Sequence, residues 1–147
     1  MPDYPEKLQE TVDTLALLPD RADRIQMLID VADRFQEVPE SIASRPFPEE
    51  HRVPACESEA FVWAEPQGDG TFRYHFAVEN PQGVSAMALA VILGDTLSGL
   101  PPEQVAAVPS DVVYEVFGKE LSMGKSMGLM GMVCKLQAET KKQTATS

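Results

Sequence analysis

The sequence has few of the residues that mark disulfide-bonded, metal-bound or nucleic-acid-binding proteins. Its 147 residues include two cysteines, two histidines and one tryptophan. Two cysteines, with no CxxC or HxxxH pair, argue against a metal centre or an iron–sulfur cluster held by one chain. Basic residues number 12 against 23 acidic ones, and the formal net charge of -11 argues against binding to DNA, RNA or anionic lipid.

Long apolar runs and nucleotide-binding motifs are also missing. No run approaches the roughly 18 residues of a membrane span, and the N-terminus MPDYPEKLQE lacks the basic and apolar regions of a signal peptide. We therefore expect a cytoplasmic protein with no membrane partner and with reduced cysteines. The motifs GxxxxGK(S/T), GxGxxG and GxSxG are absent as well, which removes the usual signals for nucleotide binding and serine hydrolysis.

The N-terminal third predicts two helices followed by a connection. Leu8, Val12 and Leu15 have helical spacing within residues 1–19, and LLPD ends that pattern. Asp20 is the predicted N-cap of a second helix, which should form a hairpin with the first. Its predicted apolar stripe comprises Ile25, Leu28, Ile29, Ala32 and Phe35. Residues 38–54 contain four prolines and predict an ordered surface connection, one piece of which could add a strand to a sheet.

The central part predicts a β-hairpin and a buried helix. AFVWA, the turn QGDG and TFRYHFAV have the pattern of two paired strands. The alternation leaves His75 on the strand as a solvated surface residue and places on one side Phe72, Tyr74, Phe76 and Val78. Asn80 is the predicted N-cap of an almost wholly apolar helix, with Pro81 at its first position.

The C-terminal part predicts three more helices. They cover PEQVAAV, SDVVYEVF with Ser110 as its cap, and SMGLMGMVCKLQ, while the polar tail 138–147 is predicted to fray. Strand pair and helices together predict a single α+β domain over residues 1–147, in which several helices pack on a small antiparallel sheet.

Cys56 stands between a proline-marked loop and a strand, in the stretch VPACESEAFVW. Loops at the rim of a sheet commonly carry functional groups, whereas free cysteine is often buried, so a reactive and a packed thiol both stay open. His51 and Arg52 would favour a thiolate, and Glu57 and Glu59 would oppose one.

Two features of the last helix also need an interpretation. Cys134 lies among Leu129, Met130, Val133 and Leu136 and is predicted to pack in the core. The stretch LSMGKSMG, just before the helix, is either a turn capped by Ser122 or Ser126, or a cationic spot in which Lys125 faces a thiolate or a partner.

These segments together resemble the SufE family of sulfur acceptors. VPACESEAFVW resembles the signature V-x-G-C-x-S-x-V-W, with one extra residue, and the matching positions are Val53, Cys56, Ser58, Val62 and Trp63. LSMGKSMGLMGMV resembles L-S-x-x-R-S-x-G-L-x-x-M, and RIQMLIDVADRFQEVPE and GVSAMALAVILGDTLSGLPPEQV resemble the family's N-terminal and central helices. The chain departs from the family at Ala55, where glycine is usual, at Lys125, where arginine is common, and at ENPQGVSAMAL, which lacks D-A-x-I-V-x-G-L.

The resemblance implies a SufE/NifU-like fold and a role in sulfur transfer. Cys56 would accept sulfane sulfur from the persulfide of a pyridoxal-phosphate cysteine desulfurase of the SufS or CsdA type, stimulate that enzyme, and pass sulfur to a scaffold of the SufBCD type. The chain would hold no cofactor or metal and would be a covalent transfer partner rather than an independent enzyme. Arg52, Ser58, Trp63 and Lys125 would support Cys56 or face the partner, with Trp63 and the hairpin sheltering the persulfide. A monomer is expected.

Three alternatives differ in function. Within the family, a CsdE-type protein would serve a different desulfurase. An iron–sulfur scaffold similar to NifU-like or IscU proteins would have a related α+β fold, although the cysteine count weighs against it. A purely structural interaction domain would use both cysteines for packing.

Overall fold

The computed structural model describes residues 4–54 and 56–145. Its elements are α1 Glu6–Ala16, α2 Arg21–Ala32, a 3-10 turn Glu49–His51, β1 Ala60–Pro66, β2 Phe72–Val78, α3 Val84–Leu97, α4 Pro102–Ala106, α5 Val112–Phe117 and α6 Met123–Ala145. The predicted α+β class is confirmed. Over the described residues, no helix combines the length and the apolar character needed to cross a bilayer.

The sheet is the predicted antiparallel hairpin. Ala60 pairs with Val78 at one end and Pro66 with Phe72 at the other. A hairpin alone is marginally stable in water. Here α6 packs on β1 and α3 packs on β2, so one face of the sheet is covered by helices. The strand residues buried on that face are Ala60, Val62, Ala64, Phe72, Tyr74, Phe76 and Val78.

The connection over residues 38–54 covers the sheet more than a surface loop would. The N–H of Val38 donates to the carbonyl of Phe76 at 2.8 Å, and Arg52 forms an isolated bridge with Phe61. Among the described residues these contacts do not extend into a third strand. The second face of the sheet has its own buried cluster, to which the connection contributes Val38 and Phe47 and the strands contribute Phe61, Trp63 and Ala77. The surface prediction was wrong for Val38 and Phe47, because these apolar strand positions require a cover. It was also wrong for Val53, which is buried in the main core.

The first two helices pack on α3 rather than mainly on each other, so the predicted helical hairpin is not their principal contact. Leu8, Val12 and Leu15 are buried as predicted. In α2 only Leu28 and Ala32 are buried, whereas Ile25 and Ile29 are 46% and 39% exposed. The apolar stripe is wider than the face that α3 covers.

Three predicted helix starts need correction. Asp20 occupies the N-cap position of α2, but its side chain makes no capping hydrogen bond. The side chain of Asn80 accepts from the N–H of Gln82 at 3.0 Å, which stabilises a turn, and α3 begins later at Val84. Asp111, not Ser110, precedes α5.

The last helix is longer than predicted. It runs through Ala145, whereas residues 138–147 were expected to fray; residues 146–147 lie outside the described part. Glu139 and Thr140 are buried. The hydroxyls of Tyr74 and Thr140 lie 2.7 Å apart, and burial raises the pKa of Tyr74 despite this hydrogen bond. Two polar residues of the predicted tail, Glu139 and Thr140, therefore belong to the buried face of the helix.

Replacement of Thr140 tests this packing. Thr140→Val leaves the buried Tyr74 hydroxyl without a partner and should lower the free energy of unfolding by about 1–3 kcal/mol. Tyr74→Phe removes the hydroxyl itself, so it should lower the free energy of unfolding by less than Thr140→Val does. In the Tyr74→Phe background, Thr140→Val should cost less than it costs in the original protein. Urea denaturation of the four proteins measures these values. Equal costs of Thr140→Val in both backgrounds would contradict the hydrogen bond.

Candidate functional site

Cys56 lies in a short loop between the 3-10 turn and β1. The N–H of Val53 donates to the carbonyl of Ala60 at 2.8 Å, and the N–H of Glu59 donates to the carbonyl of Cys56 at 3.0 Å. Glu59 has a φ of 53°, in the left-handed region that non-glycine residues seldom occupy. The loop is thus a closed turn whose base continues the sheet. Ala55, noted above as a departure from the family, lies outside the described residues.

The segment after β2 holds the far side of this loop. The backbone N–H of Asn80 donates to the carbonyl of Ser58 at 3.1 Å, and its side-chain amide donates to the carbonyl of Glu57 at 3.3 Å. Gly83 approaches Ser58 so closely that a Cβ there would lie 3.0 Å from the Ser58 Oγ. The chain after β2 therefore packs so closely on the loop that position 83 has no room for a side chain.

Three glycines of α6 allow the loop to lie directly on the helix. A Cβ at Gly128 would lie 3.3 Å from the Cα and 3.5 Å from the Sγ of Cys56. A Cβ at Gly131 would lie 3.0 Å from a methyl carbon of Val53, and one at Gly124 would lie 3.4 Å from a carboxylate oxygen of Glu57. Each helical glycine costs about 0.5–1 kcal/mol relative to alanine, which indicates that loop packing takes precedence over helix propensity.

This glycine face was not identified from the sequence. Its signal was present, since Gly124, Gly128 and Gly131 are spaced by four and three residues in LSMGKSMGLMGMV, the spacing of one helical face.

Cys56 is only 8% exposed and adjoins a cavity of about 300 Å³. In the free chain the side chain of Cys56 is therefore buried. Other residues around the cavity come from the loop, the start of α3 and the start of α6: Glu57, Ser58, Asn80, Gln82, Gly83, Val84, Ser85, Gly124, Lys125, Gly128 and Leu129.

Two of the predicted site residues, Ser58 and Lys125, line this cavity with Cys56. Lys125 is exposed at the start of α6, and its N–H donates to the hydroxyl of Ser122 at 3.3 Å. Ser122 is therefore the capping serine. The same segment forms the capped turn and also places Lys125 in the wall of the cavity beside Cys56. Ser126 instead is buried and donates to the carbonyl of Met123 at 3.0 Å.

The other two predicted site residues lie away from the cavity. Trp63 belongs to the cluster on the second face of the sheet, with its ring centroid 5.1 Å from that of His51. Successive strand residues point to opposite faces, so Trp63 cannot shelter Cys56 and that expectation was wrong. Arg52 lies at the base of the loop, with its guanidinium 3.7 Å from the carboxylate of Glu49.

Two further predictions about single residues were wrong. Cys134 is exposed, because α6 turns other positions toward the core, including Met132, Val133 and Leu136. His75 is not freely solvated: its Nε2 lies 2.9 Å from Glu65 Oε1, and this hydrogen bond holds the pKa of Glu65 below its usual range. Among residues 4–54 and 56–145, no group of three or more histidine, cysteine or acidic side chains could hold a metal ion.

Comparison with known proteins identifies the family. The family described as SufE, Fe-S metabolism associated domain, matches residues 9–140. The chain belongs to the SufE family. This membership associates the chain with iron–sulfur metabolism.

A solved structure is similar over almost all of the chain. It is the solution structure of a hypothetical protein from Thermus thermophilus, which is 29% identical, covers 99% of this chain and 100% of its own, and has a TM-score of 0.75. No curated protein sequence is similar enough to count as a match.

Substitution of Gly128 tests the contact between loop and helix. Gly128→Ala places a methyl group against Cys56. The cost of overpacking, about 1–3 kcal/mol, should outweigh the gain of about 0.5–1 kcal/mol in helix propensity and lower the free energy of unfolding. Gly94→Ala in α3 is the matched control, because its Cβ would meet the nearest atom, Phe76 Cε1, at an ordinary 3.6 Å. Chemical denaturation measures both variants. A Gly128→Ala protein as stable as the Gly94→Ala protein would contradict the close packing.

Proposed function

We propose that this chain is a single-domain sulfur carrier that accepts sulfane sulfur on Cys56. The donor is the persulfide of a pyridoxal-phosphate cysteine desulfurase of the SufS or CsdA type, which the chain also stimulates. Sulfur then passes to an iron–sulfur assembly scaffold of the SufBCD type. We further propose that the chain acts as a monomer in the cytoplasm.

The transfer requires only a thiolate on this chain. The Cys56 thiolate attacks the terminal sulfur of the donor persulfide, a new S–S bond forms on Cys56, the donor S–S bond breaks, and the donor cysteine leaves as a thiolate. The sulfane sulfur keeps its oxidation state, so no external oxidant is needed.

The observation that carries this proposal is the position of Cys56 in the SufE signature loop, with its thiol beside a cavity. The cavity of about 300 Å³ exceeds the size of one added sulfur atom, since one water occupies about 30 Å³ of liquid. Burial of Cys56 also restricts the access of oxidants and other thiols to its sulfur. Ser58 and Lys125 supply polar groups at the wall, and we assign them and Arg52 to support of the loop or contact with the partner.

The rim of the cavity supports a protein partner. Val84 lines the cavity and is 41% exposed, and Met123 and Met127, next to Gly124 and Gly128 on α6, are 78% and 51% exposed. Exposed methionines adapt to irregular partner surfaces. Because Cys56 itself is buried, the loop must move away from α6 before the thiol can enter a donor site.

Mass spectrometry tests sulfur acceptance at Cys56. The chain is mixed with the cysteine desulfurase of the same genome and cysteine, then alkylated without reductant and digested. We expect one added sulfur on the Cys56 peptide, none when cysteine is omitted, and none on Cys56→Ser. Cys134→Ser is the matched control and should accept sulfur normally. Sulfur on Cys134 alone, or none on this chain with any desulfurase of that genome, would overturn the proposal.

Replacement of Lys125 tests the cation beside the thiol. Lys125→Ala should slow single-turnover transfer to Cys56 by about tenfold, equivalent to the loss of one charge contact worth about 1.4 kcal/mol. Lys125→Arg keeps the charge and should transfer sulfur at close to the original rate. Lys119→Ala removes an exposed lysine outside the cavity and controls for net charge. Equal effects of Lys119→Ala and Lys125→Ala would show that the transfer rate depends on net charge and not on the position of Lys125, which would contradict its assigned role.

A further inference from the structure

The turn that leads into the Cys56 loop is fastened to the far end of α6 by a buried carboxylate. Nδ1 of His51, the last residue of the 3-10 turn, lies 2.8 Å from Glu139 Oε1 and 3.0 Å from the carbonyl oxygen of Val62. The side chain of Glu139 is 3% exposed and that of His51 is 16% exposed. Both neighbours of Nδ1 are acceptors, so this nitrogen carries the hydrogen. The hydrogen bond goes to the carbonyl of Val62, and the Glu139 carboxylate lies beside the same nitrogen as a close charged neighbour.

A lysine completes the attachment. Lys135 Nζ lies 3.5 Å from Glu139 Oε2 and donates to the backbone carbonyl of Glu50 in the same turn. Each carboxylate oxygen of Glu139 therefore has its own partner, and both partners lead to residues 50–51. Trp63 stacks on the His51 ring with centroids 5.1 Å apart, so the second face of the sheet supports the histidine.

Stability alone does not explain a buried carboxylate at this position. Removing a charge from water costs free energy, and apolar groups of similar size often replace a buried ion pair without loss. The position of Glu139 favours another role. The turn that it contacts lies just before the loop in sequence, whereas the loop itself packs on Gly124, Gly128 and Gly131, nearer the start of α6. The loop is thus held by close packing at the start of the helix and by polar contacts near its end.

We propose that Glu139 is a positioning residue that keeps the Cys56 loop closed. Through His51 and Lys135 it fixes the turn at residues 49–51, and this restraint sets how often the loop leaves α6 and exposes the thiol. The relevance to sulfur transfer rests on the function proposed above, but the restraint itself is a property of the free protein.

The test is the rate of thiol alkylation in the isolated protein. Cys56 is buried and reacts only when the loop opens, whereas Cys134 on the same chain is exposed and serves as an internal reference. Glu139→Leu keeps bulk and helix propensity but removes both contacts. With iodoacetamide, the Cys56 to Cys134 rate ratio should rise by about tenfold or more, because the close contacts of the Glu139 carboxylate with His51 Nδ1 and Lys135 Nζ are lost.

Three further variants separate local opening from loss of stability. Thr140 is next to Glu139 in sequence, and Thr140→Val weakens a buried contact with β2 rather than with the turn. At an equal loss of stability, Thr140→Val should therefore leave the ratio unchanged. Glu139→Gln keeps a side chain of the same size beside His51 but removes its charge, and should give an intermediate ratio. His51→Gln perturbs the same attachment from the loop side and should raise the ratio even if Glu139→Leu does not fold.

The outcomes are distinct. A raised ratio in Glu139→Leu or His51→Gln, but not in Thr140→Val, supports the proposal. An unchanged ratio in both of the first two, or an equal rise in Thr140→Val, overturns it. No desulfurase enters this experiment, so its failure would leave sulfur acceptance at Cys56 untouched, and the failure of sulfur acceptance would leave this result standing.

Discussion

The close approach of the Cys56 loop to the bare backbone of α6 is the constraint on which the site depends. Cys56 Cα would lie 3.3 Å from a Cβ at Gly128, so the loop would have to shift by a few tenths of an ångström to accept a side chain at that helix position. The contact buries the thiol and aligns the start of α6 beside it, and Lys125 thereby becomes part of the same cavity wall. The close approach at Gly128 and Gly131 therefore underlies both the burial of Cys56 and its position beside the cavity.

The same helix supports the core and the loop with different faces. Met132, Val133 and Leu136 are fully buried, and α6 packs on β1. The glycine face and the Glu139 attachment hold the loop and its preceding turn. The loop also takes part in the core, because Val53 and Cys56 are buried in the same apolar cluster as Met132 and Leu136. Its release from α6 would therefore give up apolar contacts as well as the glycine and polar ones.

The sequence predicted those parts of the fold in which one pattern dominates. The alternation in TFRYHFAV and the apolar run before Gly94 gave the hairpin and the central helix, because burial of those side chains outweighs every competing effect. Helix limits were less predictable because local polar groups compete for backbone N–H groups. Asn80, for example, stabilises a turn instead of capping α3.

The candidate site was predictable only in part. The signature identified Cys56 and the segment containing Lys125, but the sequence could not assign Trp63 to the opposite face of the sheet or turn Cys134 outward. It also gave no reason to connect Glu139 with His51, since their contact depends on how α6 crosses the turn at residues 49–51. Contacts between residues distant in sequence leave no local periodicity.

Hydrogen exchange on adding desulfurase most directly tests whether Cys56 acts through a loop that leaves α6. The account predicts that amides of residues 50–60 exchange faster when the desulfurase and cysteine are present, while amides of α3 keep their protection. Unchanged protection of residues 50–60 during active sulfur transfer to Cys56 would contradict it, because the thiol would then react without the loop opening.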